Sequence, residues 1–260
     1  MSRYKIGCQS ITFGTPLHQQ DIAQVFGAVS EAGYDGIEIG FFRLDPARTQ
    51  EYKAMLESYA LKLAAVHVGG NIFDLESQKD QVRNIATVLD MAKTLGARDV
   101  FFSGSRTSDS MTKQDFAEQA VKIAELGKRA ADAGLTLCYH NHDWEIRNDL
   151  LGLRTILEQT DPDQVKLVLD VGWVTKGGAD PVEVIKTYGS RVKHLHFKEF
   201  TADGSFTELG QGIVNFPGVV DAAKGMENCW IIAEQDESRI GAAESVRLNC
   251  AYMRNLIKEA

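Results

Sequence analysis

The chain has no uninterrupted apolar run near the roughly 18 residues that a transmembrane helix requires, so no membrane partner is expected. Its four cysteines, Cys8, Cys138, Cys229 and Cys250, are scattered and include no C-x-x-C pair. That argues against a disulfide framework and against a cysteine zinc site, and it fits a reduced, cytoplasmic chain. The opening MSRYKIGCQS lacks the apolar stretch and small-residue cleavage site of a secretory signal. Basic residues are in the minority, 28 Lys and Arg against 36 Asp and Glu, and no stretch of sequence concentrates them. A net charge of −8 repels a phosphate backbone, so nucleic acid is not the expected partner.

What is present is a regular alternation. Short runs rich in Val, Ile, Leu and Phe occupy Lys5–Ile11, Gly36–Ile39, Leu63–Val68, Asp99–Ser103, Thr136–His140, Lys166–Asp170, Val192–Phe197 and Trp230–Glu234. Each has the length and apolar density of a buried parallel strand. Amphipathic helical stretches lie between them. Gln20–Ala32 stops at Gly33, Lys79–Leu95 at Gly96 and Gln114–Ala133 at Gly134, with Ala242–Lys258 closing the chain. Eight strands each followed by a helix-sized segment predict a single-domain (β/α)8 TIM barrel over residues 1–260. A doubly wound sheet normally carries a phosphate-binding glycine fingerprint after its first strand, which Gly7 and Gly14 do not supply.

Barrel chemistry sits where strands end. Nearly every predicted strand ends in a polar residue: Gln9 on the first, Glu38 on the second, His67 on the third and Asp170 on the sixth. The fifth runs into Tyr139-His140-Asn141-His142-Asp143-Trp144-Glu145, the seventh carries His194, His196 and Lys198, and the eighth ends at Glu234. Five of the six histidines fall in these segments, the exception being His18. Singly, each has an ordinary reading. Asp170 before Val-Gly suits a helix cap, His67 suits a satisfied buried polar group, and Lys198 suits a surface pair with Glu199 or Asp203. Together they converge on one pocket, where uncompensated carboxylates cost several kcal/mol each. A divalent cation removes that cost, and carboxylate and imidazole without thiolate favour Mn2+, with Co2+, Mg2+ or Zn2+ as alternatives. On the seventh strand His194, His196 and Lys198 share a face; His196, nearer the mouth, is the better ligand, and His194 is either packing or support for the metal ligands.

These motifs, with Leu169-Asp170-Val-Gly-Trp173, His194-Leu-His196-Phe-Lys198 and Leu209-Gly-Gln-Gly212, resemble the xylose-isomerase-like sugar phosphate isomerase/epimerase superfamily. That superfamily includes tagatose 3-epimerase-type enzymes, inosose dehydratases and endonuclease-IV-like proteins. The resemblance spans essentially the whole chain and implies one divalent metal held by Glu, Asp, His and Glu from the fifth to eighth strands. Asp170, His196 and Glu234 carry over directly. On the fifth strand His140 stands where epimerases place a ligating Glu; Glu145 is preferred as the ligand, with His140 beside the substrate and His140 itself as the alternative ligand. Trp173 replaces a histidine found in many members. It is read as an aromatic wall against a sugar ring or as packing under a loop.

The implied chemistry is proton abstraction beside a carbonyl, with the metal chelating substrate oxygens and stabilising an enediolate. Glu234 is the expected base on one face, Glu145 or His140 the partner on the other, and Lys198 a cation near the developing oxyanion. Glu38, His67, His142, Trp173, Gln9 and Gln211 are candidate substrate contacts. The primary expectation is a sugar isomerase or epimerase acting on a small keto-sugar or cyclitol. The runner-up is a dehydratase of the inosose or dehydroshikimate type, favoured by the histidine-rich fifth strand. An endonuclease-IV-like repair enzyme needs more metal ligands and basic loops than this chain offers, and a non-catalytic sugar binder is the remaining alternative. A homo-oligomer is expected on general grounds.

Overall fold

The computed structural model describes residues 4–14, 21–70, 85–108 and 110–258. Eight parallel strands close into a barrel: β1 (Lys5–Gln9), β2 (Gly36–Gly40), β3 (Lys62–Gly69), β4 (Asp99–Ser103), β5 (Thr136–His140), β6 (Val165–Asp170), β7 (Val192–Phe197) and β10 (Trp230–Ala233). Each strand pairs with its neighbour in sequence order, and β10 closes the ring onto β1. The predicted (β/α)8 barrel is therefore the observed fold. Helices α1 (Ile22–Ala32), α2 (Thr49–Ser58), α3 (Ile85–Thr94), α4 (Lys113–Asp132), α5 (Asp143–Gln159), α6 (Val171–Lys176), α7 (Pro181–Tyr188), α8 (Phe216–Ala222) and α9 (Ala242–Lys258) surround it. Among the described residues no helix is long and apolar enough to cross a membrane.

Strand alternation separates two cores. One lies between strands and helices; the other fills the barrel with Ala64, Ala65, Phe101, Cys138, Val168, Trp230 and Ile232. Two residues beyond several of these inner positions stand His67, Ser103, His140, Asp170 and Glu234, so the period of two carries the barrel-interior face into the mouth.

Local chemistry moves a few boundaries. The first strand stops at Gln9 instead of Ile11, because the Gln9 side chain accepts from the Ile11 backbone N–H and starts a 3-10 turn over Ser10–Phe13. Asp21 caps α1 by accepting from Ala23 N, so the helix starts at Ile22; Gly33 ends it with φ near +92°, the left-handed region that glycine enters without a Cβ penalty. Gln20, His18 and the first part of Lys79–Leu95 lie outside the described residues. A short hairpin, β8 (Glu199–Phe200) with β9 (Phe206–Thr207), was not anticipated from the sequence pattern. It follows β7 directly and stands at the barrel mouth. Gly172 opens α6 so close to β7 that a Cβ there would fall 2.3 Å from the Lys198 carbonyl oxygen. A side chain at that position would displace the backbone that carries Lys198.

Candidate metal centre and active site

Four buried side chains from consecutive barrel strands converge at the mouth: His140, Asp170, His196 and Glu234, with one ligand atom from each lying within 4.8 Å of the others. His140 Nε2 stands 3.2 Å from Glu234 Oε2 and 3.4 Å from Asp170 Oδ2. His196 Nδ1 stands 2.7 Å from the same Glu234 oxygen. Asp170 serves two purposes. Its Oδ1 accepts from Trp173 N at 2.8 Å and caps α6, as its ordinary reading anticipated, while its buried Oδ2 has no hydrogen-bonding partner. Asn141 fixes this residue, accepting from Asp170 N at 3.0 Å and donating to Asp170 O at 3.2 Å. An orphaned carboxylate oxygen beside two imidazoles and a second carboxylate fits a divalent ion well.

The fifth-strand preference for Glu145 has a different outcome. The structure does not bring Glu145 into this group. Its Oε1 accepts from Tyr139 Oη at 2.6 Å and its Oε2 from His142 N at 2.8 Å, the reciprocal cap of α5. Position 145 is the third residue of a helix whose first N–H groups need acceptors, and the capping interaction holds its carboxylate there. His140, ending β5 on the interior face, occupies the place that the preferred ligand set gave to Glu145.

Outer partners orient these groups. Ser103 Oγ lies 2.6 Å from His67 Nε2 and 3.3 Å from His140 Nδ1. His67 Nδ1 lies 2.6 Å from Glu38 Oε1, and Glu38 Oε2 lies 2.6 Å from His196 Nε2. A carboxylate on the far nitrogen of a ligating histidine fixes its tautomer and raises its basicity. Burial disfavours charge on both Glu38 and His196, yet their mutual attraction, with further contacts to His67 and Glu234, outweighs it: Glu38 falls to about 2 and His196 rises to about 10. Burial likewise opposes ionisation of Glu234, but Lys198 and His140 hold it well below the usual carboxylate range.

Lys198 is not a surface residue. It is 1% exposed, with Nζ 2.5 Å from Asp236 Oδ2 and 3.3 Å from Glu234 Oε1, and these acids overcome burial and raise its pKa. Glu199 instead accepts from Phe200, Gly210 and Val214 backbone N–H groups. Of these amides, that of Gly210 belongs to the Leu209–Gly212 motif. Trp173 forms an aromatic wall: Lys198 Nζ is 4.7 Å from its ring centre, and Phe200 and Phe206 of the hairpin pack against it. His142 stacks on Trp144 at 4.1 Å and lies 5.0 Å from the His140 ring; burial, then His140 and Lys198, push its pKa well below normal.

Other expectations fall away from the centre. Gln9 Oε1 is spent on its own turn, and Gln211 is exposed. His194 faces the opposite end of the barrel, with Nε2 3.0 Å from Asp99 Oδ2 and Nδ1 accepting from Trp230 N, so it is interior packing. Sequence reasoning missed Ser103, Asn141 and Asp236. Asp236 continues the period of two from Glu234, a signal that was available.

A family model described as xylose isomerase-like TIM barrel matches residues 26–256. The chain belongs to that family. An inosose dehydratase of Mesomycoplasma hyopneumoniae is 30% identical over 90% of this chain and 88% of its own length. Among solved structures, a sugar phosphate isomerase/epimerase from Parabacteroides distasonis aligns with TM-score 0.77 and 22% identity, covering 98% of this chain and 97% of its own. The IolI protein, solved with a zinc atom, aligns with TM-score 0.78 and 16% identity over 98% of both chains. The xylose isomerase-like assignment makes the chain an enzyme of that superfamily.

Glu145 gives a stability prediction of its own. Burial lifts its carboxyl from 4.5 to about 7, against the pull of Tyr139 and the His142 N–H. The folded chain thus binds a proton that the unfolded chain releases between those values, and stability falls as pH rises through that window. The loss is on the order of 3 kcal/mol. Glu145→Gln is expected to flatten this part of the profile in urea unfolding from pH 4.5 to 8. Parallel profiles for the two proteins would contradict the assignment.

Proposed function

We propose that the chain is a divalent-metal-dependent dehydratase that removes water from a keto-cyclitol or related keto-sugar. The observation that carries this reading is the asymmetry of the mouth. Inversion at a carbon beside a carbonyl calls for proton-transferring groups on both faces of the substrate, and here Glu234 has no carboxylate counterpart on β5 because Glu145 is bound to Tyr139 and the His142 N–H. Elimination needs only one carboxylate. The 30% identity to a protein named inosose dehydratase supports the same choice over the isomerase or epimerase expectation.

His140, Asp170, His196 and Glu234 would hold the metal, and their mix of two imidazoles and two carboxylates suits Mn2+, Co2+ or Zn2+. When bound, the ion supplies Lewis acidity that lowers the cost of charge on a substrate carbonyl oxygen. Glu234, ionised beside Lys198, takes the proton from the carbon next to the carbonyl. The neighbouring C–O bond breaks, a C=C bond forms, and the departing hydroxyl leaves as water with the proton that Glu234 had taken. Lys198, fixed by Asp236, donates hydrogen bonds to oxygen as charge grows there. Trp173 and Phe206 shield this side from water, and His67, with its two ring nitrogens on Glu38 and Ser103, holds the Glu38 carboxylate against His196.

Proton NMR in D2O of the Zn2+-loaded enzyme with a panel of inososes, ketohexoses and ketopentoses tests the proposal. An unsaturated product that has lost one hydroxyl is the expected result. An α-deuterated epimer with no unsaturated product would return the chain to the epimerases. No exchange with any compound would overturn the assignment to this substrate class.

A further inference from the structure

The opposite end of the barrel has a character that the net charge of −8 does not suggest. A bowl of about 780 Å³ opens there, lined by Lys5, Lys53, Lys62, Lys93, Arg98 and Lys193 against only Glu57, Asp99 and Glu227. We propose that this N-terminal mouth of the barrel is a binding site for a small polyanion of polyphosphate chemistry.

The cations arrive from separate elements. Lys5 opens β1, Lys62 opens β3, Arg98 precedes β4, Lys193 is the second residue of β7, Lys53 lies on α2 and Lys93 in the last turn of α3. Asp99 is already committed, with Oδ1 2.5 Å from Lys193 Nζ and Oδ2 3.0 Å from His194 Nε2, so it does not neutralise the others. Five cations then face two carboxylates. Among the described residues Lys53, Lys62 and Arg98 make no ion pair, and Lys5 Nζ stands 5.3 Å from the centre of the Trp230 ring. The negative end of a helix dipole accounts for Lys93, whose Nζ donates to the Ala133 carbonyl oxygen, but for none of the four others. Gathering like charges in a concave surface is unfavourable unless an anion joins them, and such clefts focus the field that draws one in.

Size and shape select the ligand. A cavity of a few hundred to about 1,000 Å³ takes a small molecule. Five cations spread around a bowl match several linked phosphate groups better than one carboxylate or one phosphate. The site is independent of the reaction proposed above, since it lies at the other ends of the strands that carry the metal-binding group.

Isothermal titration of the metal-loaded enzyme with inorganic pyrophosphate tests this, with an RNA oligonucleotide run in parallel. Saturable binding is expected to weaken about tenfold or more in Lys62→Gln/Arg98→Gln and to tighten in Glu227→Gln, the opposite sign from a partner removed from a purely structural network. Affinity should fall with added salt, and turnover of the double variant should equal that of the parent. Equal affinities in all three proteins would place the pyrophosphate on the metal at the far mouth and overturn the proposal, as would no saturation by millimolar pyrophosphate. Tighter, lysine-dependent binding of the RNA would replace it with a nucleic-acid surface.

Discussion

His140→Ala is expected to lose its divalent metal on dialysis, whereas Glu145→Gln keeps it. The reason is position along the chain. His140 ends β5 on the interior face, 3.2 Å from Glu234 and 3.4 Å from Asp170, while Glu145 is consumed by Tyr139 and the start of α5. Loss of an outer partner of a metal ligand costs roughly 10- to 100-fold in affinity, and removal of a ligand itself should exceed that. With the metal goes several kcal/mol of charge stabilisation, or turnover lower by about 10³-fold or more. Elemental analysis of the dialysed proteins decides the matter. Metal retained by His140→Ala and lost from Glu145→Gln would restore the carboxylate as the fifth-strand ligand and, with it, the two-sided geometry that epimerisation requires.

That contrast marks where the sequence is readable and where it stops. The barrel is legible because each strand is a short apolar run, nearly all with polar ends, and closure of eight such runs leaves little freedom. Asp170, His196 and Glu234 are legible for a related reason. Each sits two residues beyond an interior position, Val168, His194 and Ile232, and the side-chain period of two is rigid. His140 follows Cys138 by the same rule, and Ser103 follows Phe101. Glu145 obeys no such period, because residues 141–145 leave the strand and enter a helix, where direction depends on capping. The H-x-x-E spacing of His142 and Glu145 was the available signal, but a histidine is an unusual capping-box residue. The polyanion bowl was invisible for a third reason: its lysines are scattered through the sequence, and only barrel closure gathers them.

Lys198→Met is expected to lower turnover by about 10²- to 10³-fold with metal content unchanged, the scale seen when one donor to a developing oxyanion is removed. The ammonium is completely enclosed, between Glu234 Oε1 and Asp236 Oδ2 and against the Trp173 ring. Inside such a low-dielectric wall a fixed positive charge acts on substrate oxygen far more strongly than in water. The substitution also leaves the buried Glu234 and the partly exposed Asp236 without their cation, and an unpaired buried charge costs about 3–5 kcal/mol and threatens folding. Lys198→Met/Asp236→Asn removes one of those charges and separates the two effects: stability should recover in part while turnover stays low. Lys198→Arg keeps the charge but replaces a compact ammonium by a planar fork, which the approach of Gly172 to the Lys198 backbone leaves little room to reposition. It should fold, bind metal and turn over slowly. Near-normal kcat in the double variant would mean that Lys198 serves only to neutralise the acids around it, and the oxyanion role would pass to the metal alone.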